Sequence, residues 1–155
     1  MRSSLNKNTA KLEKLYRLAE TNNIPIDEHC PEQLISMSVR LPGGQKIIGI
    51  SKGCENRRYT RLERIAHEMG HCMTDAFYEG YSPFEICAKE EKRADRWAVS
   101  KLVPFRSLCH AVKSGHRELW ELADYFDVSE QFIEKAITVH AQNGNVVPPE
   151  LYAEL

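Results

Sequence analysis

Residues 67 to 71 read His67-Glu68-Met69-Gly70-His71, an H-E-x-x-H. On a helix, positions i and i+4 share a face about 5–6 Å apart, so two imidazoles there can bind one tetrahedral zinc ion. Glu68, next to the first histidine, can reach the metal-bound water as general base. With six histidines among 155 residues, a chance match is expected about 0.025 times. Taking about 100° per residue, the apolar stripe from Leu62 to Ala76 centres almost opposite the two histidines, which therefore point away from the core side of their own helix.

A zinc hydrolase needs a third protein ligand and leaves a fourth position for water. Twenty residues after His71 comes Glu91, followed by Asp95, on a stretch that shares a face with Ala98 and Leu102. Two carboxylates one turn apart on an apolar side repel each other and need a partner. A cation supplies it: Glu91 completes a His-His-Glu set, and Asp95 accepts the spare ring N–H of a ligand histidine. Glu90 is the rival ligand but falls on a different face from Asp95. A metzincin would continue with Gly and a third His, where this chain has Thr74 and Phe77. The glutamate-ligand arrangement of thermolysin-like gluzincins fits instead. A donor for the tetrahedral oxyanion is also needed. Tyr78, Tyr81, His110 and His116 are the candidates, and Tyr81 is assigned beside Glu68 as a catalytic residue.

The elements that must position these groups follow from periodicity. Apolar residues recur at helical spacing from Ser4 to about Asn22, and Pro25 and Pro31 then mark a loop. Leu34–Leu41 and Lys46–Ser51 have strand character and flank Pro42-Gly43-Gly44, a hairpin turn. Helices are expected over about Tyr59–Ala76 and Ile86–Val103, the latter ended by Pro104. Shorter helices follow at about 106–114, 117–126 and 129–140. The expected fold is α+β: mostly helical, with a small antiparallel sheet beside the motif helix and a C-terminal helical tail. Residues 1–105 form the metallopeptidase unit, 106–145 a tail packed on it, and 146–155 a loosely ordered end.

Taken together, the chain resembles the ImmA/IrrE family of metallopeptidases of bacterial prophages and integrative elements. The resemblance rests on RLERIAHEMGHCMTDAFYEGYSPF and EEKRADRWAVSKLVP, close to that family's HELGH and E-x-E-A-x-x-F-A-x-x-L-L-x-P patterns. The N-terminal helix, the Ile24-Pro25-Ile26 step and the hairpin match its layout. Arg93 stands where the pattern often has a second glutamate, and Trp97 replaces Phe. The resemblance implies a zincin-like fold and a cytosolic endopeptidase that cleaves a helix-turn-helix repressor and so relieves repression. It assigns zinc to His67, His71 and Glu91, the base to Glu68, and orientation of a ligand to Asp95. One ion is expected, and another divalent metal can compete for such ligands. By analogy with gluzincins, Lys46–Ser51 is the strand expected to pair with substrate backbone.

Bulk properties narrow the partners. Twenty-one Lys and Arg against 22 Asp and Glu give a net charge of -1, which does not draw DNA, RNA or an anionic membrane. No apolar run approaches the ~18 residues of a membrane span, and the start lacks the apolar core of a signal peptide. Five scattered cysteines without a CxxC pair read as reduced, cytosolic thiols. Residues Leu122–Ile133 look like a helix-turn-helix unit, but Glu130, Glu134 and the single Lys135 make its second helix a poor match for phosphates. Two alternative readings stand beside the peptidase: a DNA-binding regulator using that tail, and a non-catalytic zinc module that sequesters a repressor.

Overall fold

The computed structural model describes residues 2–31, 34–51 and 61–154. Cys54 and the first residues of the expected motif helix, Tyr59 and Thr60, lie outside them. The chain is mixed α+β and mostly helical. Helix α1 spans Arg2–Thr21, and strands β1, β2 and β3 span Ile26–Asp27, Ser36–Arg40 and Lys46–Ile50. The motif helix α2 is Arg61–Thr74, and α3 is Phe84–Leu102. Helices α4 (Phe105–Lys113), α5 (Leu119–Phe126) and α6 (Glu130–Gln142) follow, then a 3-10 turn at Pro149–Glu154.

Helix ends follow local chemistry. Asn23, Asp75 and Asp127 each take φ 54° just past the C-termini of α1, α2 and α5, the left-handed stop that short polar side chains tolerate. Helix α3 stops before Pro104, as expected of the residue preceding a proline. Ser129 caps α6, its hydroxyl accepting from the Phe132 amide. In the hairpin turn, Gly44 adopts φ 83° and its amide donates to the Leu41 carbonyl.

The sheet departs from the expected antiparallel hairpin. Strands β2 and β3 pair antiparallel from Ser36↔Ile50 to Arg40↔Lys46. A third strand, β1, adds in parallel at Ile26↔Ile48 and Asp27↔Gly49, giving the order β1-β3-β2. Two residues after Pro25 are too short to show a period of two, so periodicity missed it. The order also corrects the expected substrate strand. Lys46–Ile50 is the central strand, flanked on both sides, and among the described residues the outer edge beside α2 belongs to β2.

Helix α2 is the hub, packed on α1, β2, β3 and α3. Its apolar stripe is buried: Leu62, Ile65, Ala66, Met69 and Cys72 join the core with Ile48, Ile50, Ala98 and Val99. The opposite face is covered too, since Glu63, Arg64, Glu68 and His71 are also buried. The histidines do point away from their helix's apolar stripe and toward α3, where His71 is buried and His67 keeps a quarter of its side chain exposed. Gly70 permits this. A Cβ there would lie 2.5 Å from the Ala94 carbonyl oxygen and 2.9 Å from its Cα, so α2 and α3 meet backbone to backbone.

The far end of α2 is clamped to the sheet. Lys46 Nζ donates to the Cys72 carbonyl at 2.6 Å, and both Lys46 and Arg40 pair with Asp75. Arg93 donates to the Thr74 carbonyl and pairs with Glu90 at 2.6 Å. The core continues without a break into the last third of the chain through Leu108, Leu122, Phe132, Ile133 and Ile137. Of the stretch expected to be loosely held, Val147 and Leu151 are fully buried.

Candidate metal centre

Two imidazoles and one carboxylate converge where α2 faces α3. One nitrogen or oxygen atom from each of His67, His71 and Glu91 lies within 4.8 Å of the others. His67 Nε2 is 3.1 Å from Glu91 Oε2, His71 Nε2 is 3.4 Å from Glu91 Oε1, and the two Nε2 atoms are 3.1 Å apart. The rings stand nearly perpendicular, at 83°.

What turns the Nε2 atoms inward is the fate of the other ring nitrogens. His67 Nδ1 lies 2.9 Å from Asp95 Oδ1, and His71 Nδ1 lies 2.6 Å from the Ala76 carbonyl oxygen. A carbonyl and an ionised carboxylate can only accept, so each Nδ1 carries the proton and each Nε2 lone pair is left for a cation. This is how ligand histidines are oriented in metal sites. The Ala76 carbonyl is in place because the chain turns at Asp75, where the Ala76 amide donates back to the His71 carbonyl.

Electrostatics agree with the geometry. Burial works against charging His67, yet its bonds to Asp95 and Glu91 outweigh this and lift its pKa to about 9 in the metal-free protein. His71 is raised in the same way: burial opposes it and Glu91 prevails. The bonds from His67 and His71 hold Glu91 far below the ordinary carboxylate range. Burial works against ionisation of Asp95, but His67 and Lys135 still hold its pKa low. The cluster thus stores negative charge that protons neutralise when no metal does.

No protein-family model matches the chain, and no curated protein or solved structure does so either. The site is therefore read from its own atoms.

Two imidazoles and one carboxylate are a donor set that could hold a divalent metal ion. Glu68 sits on the same face of α2, buried, and accepts a 2.8 Å bond from the Ser36 hydroxyl at the start of β2. Glu90, the rival ligand, turns instead to Arg93. Of the oxyanion candidates, Tyr78 is the one brought to the cluster, its hydroxyl donating to Glu91 Oε1 at 2.6 Å. That bond, with some burial, holds the Tyr78 hydroxyl up at about 12. Tyr81 is 87% exposed and lies outside the cavity. His116 packs against Tyr125 and donates to the Ala111 carbonyl, and His110 is exposed on α4.

Three participants escaped the sequence reading. Lys135 of α6 donates to Asp95 Oδ1 at 2.8 Å, extending the chain Glu91–His67–Asp95 into the tail. Ser36 holds Glu68, and Arg64 lines the same cavity of about 350 Å³. Arg64 alone carried a signal, standing three residues before His67 on the ligand face of α2.

Proposed function

We propose that the protein is a zinc-dependent endopeptidase whose substrate is a helix-turn-helix repressor, so that cleavage relieves repression of a prophage or mobile element. One observation carries the metal-dependent hydrolase reading. Both histidines are tied back at Nδ1 while their Nε2 atoms meet the Glu91 carboxylate beside a buried Glu68. The repressor as substrate, and a site of action in the cytoplasm, come from the resemblance alone. Among the described residues no helix is long and apolar enough to cross a membrane.

When bound, zinc supplies Lewis acidity and makes water acidic enough to lose a proton near neutral pH. Glu68 would take a proton from the water whose oxygen adds to the scissile carbonyl carbon, and would pass it to the leaving amine as the C–N bond breaks. The Ser36 hydroxyl, bonded to Oε1, fixes the carboxylate's orientation and leaves Oε2 for the proton. Tyr78, whose hydroxyl donates to Glu91 at the cluster, is a hydroxyl donor for the oxyanion once released from Glu91. Outer strand β2 presents backbone beside Ser36 against which an extended substrate can pair.

The test is Glu68→Gln with zinc measured by elemental analysis. The variant is expected to keep one zinc ion and lose cleavage of a co-expressed repressor. Undiminished cleavage by a zinc-loaded Glu68→Gln protein would sink the assignment. Intact derepression without any cleavage favours sequestration. The DNA-binding reading gains nothing from the tail, where Lys135 turns inward to Asp95 and Phe132, Ile133 and Ile137 are buried.

A further inference from the structure

Arg64 is 8% exposed, yet its Nε and Nη2 atoms have no hydrogen-bond partner among the described residues. An arginine stays charged at any physiological pH, and a buried unpaired cation is costly. Among the described residues, every carboxylate lining the cavity is engaged elsewhere. Glu63 accepts from Ser129, Glu68 from Ser36, Glu91 from the histidines and Tyr78, and Asp95 from His67 and Lys135. Asp127 also keeps one buried oxygen without a partner, but it does not line the cavity.

From these observations we infer that Arg64 is a recognition residue for a carboxylate of the substrate polypeptide. Nε and Nη2 form the edge of a planar fork that matches a carboxylate with two parallel bonds. Arg64, His67, Glu68 and His71 stand at i, i+3, i+4 and i+7, so Arg64 rises from the ligand face of α2, and it lines the same cavity as His67, Glu68 and Glu91. Because the cavity that Arg64 lines is the one that holds His67, Glu68 and Glu91, the carboxylate lies close to the scissile bond. It comes either from an Asp or Glu side chain or from the chain's own C-terminus. The role as a subsite beside the scissile bond rests on the peptidase reading; the binding of a carboxylate does not.

The experiment uses the full-length zinc-loaded protein and three short peptides: one with an internal Asp and an amidated end, its Asn counterpart, and an all-alanine peptide with a free carboxylate end. Binding is followed through the side-chain ¹⁵Nε signal of Arg64, assigned with Arg64→Lys, and cleavage by mass spectrometry. The Asp peptide or the free-acid peptide is expected to bind at least about tenfold more tightly than the Asn peptide and to move that signal, as charged hydrogen bonds allow. Which of the two does so identifies the source of the carboxylate. Arg64→Met is expected to keep zinc and keep or raise Tm, since it removes an unpaired buried charge, while losing the preference. Arg64→Lys, charged but without the fork, falls between. Equal affinity for all three peptides, or an unmoved Arg64 signal, overturns the inference. Cleavage without acid preference overturns it and leaves the peptidase reading intact. Acid-selective binding without cleavage of any peptide or repressor does the reverse.

Discussion

Gly70 of α2 faces Ala94 of α3 so closely that no side chain fits between them. The obstacle is backbone, not the movable end of a side chain, so neither partner can simply turn aside. Because His67 and His71 sit on one helix and Glu91 on the other, this contact sets the spacing of the ligand cluster. Gly70→Ala is expected to cost about 1–3 kcal/mol through forced separation of the helices, despite alanine's better helix propensity. Thermal melting checks the stability loss, and a chelator competition checks the accompanying fall in zinc affinity. A stabilised variant with unchanged affinity contradicts it.

Among the described residues, Asp95 touches the ligand cluster through His67. Asp95→Asn is expected to lower zinc affinity by about 10–100-fold, while leaving the three ligands in place. Lys135→Met should have a smaller effect in the same direction. Because both act through one carboxylate, the double variant should lose less than the two single losses combined. Strict additivity in a double-mutant cycle would show that Lys135 does not act through Asp95.

Metal-free protein should be most stable in mildly acidic solution. The His67 pKa is raised from 6.5 to about 9 in the folded chain, so its contribution is fully present below about 6.5 and is lost as pH climbs through 9. Glu91 and Asp95 are lowered on folding, so their contributions are present above about 4.5 and are lost as the solution becomes more acidic. A Tm profile of the metal-free chain should therefore peak between these limits and decline on both sides. A profile still rising from pH 7 to 9 would contradict the Asp95–His67–Glu91 couplings.

Ser36 offers a cleaner probe of Glu68 than changing Glu68 itself. Ser36→Ala removes the 2.8 Å bond but no ligand, so zinc content should stay whole while kcat falls by up to about tenfold. An unchanged kcat would show that packing alone orients Glu68.

Much of this centre was legible in the chain because helices carry local information. His67, Glu68 and His71 fall on one face by spacing alone, and Glu91 and Asp95 declare themselves as carboxylates on an otherwise apolar side. Helix bounds followed from apolar periodicity and from proline within two or three residues. What escaped depends on tertiary docking. Nothing about Ser36 or Lys135 marks them until β2 and α6 arrive beside α2. The strand Ile26–Asp27 is too short to have a period, and only its pairing with Ile48 and Gly49 makes it one. Tyr78 and Tyr81 are equivalent in sequence, and the path of an irregular loop decides between them.

Glu63 is 1% exposed, and its carboxylate receives both the backbone amide and the hydroxyl of Ser129, sixty-six residues later. A growing chain emerges N-terminus first, so α2 is complete long before that partner exists. Until Ser129 arrives, α2 lacks two of the hydrogen bonds that hold its buried Glu63 carboxylate. All three candidate ligands are made by residue 91, whereas the tail's bonds to Glu63 can form only once residue 129 is made. Zinc uptake by chains stalled before and after Ser129 should jump between the two lengths. The tail thus tethers the two helices that carry the cluster, through contacts that an unfinished chain has not yet made.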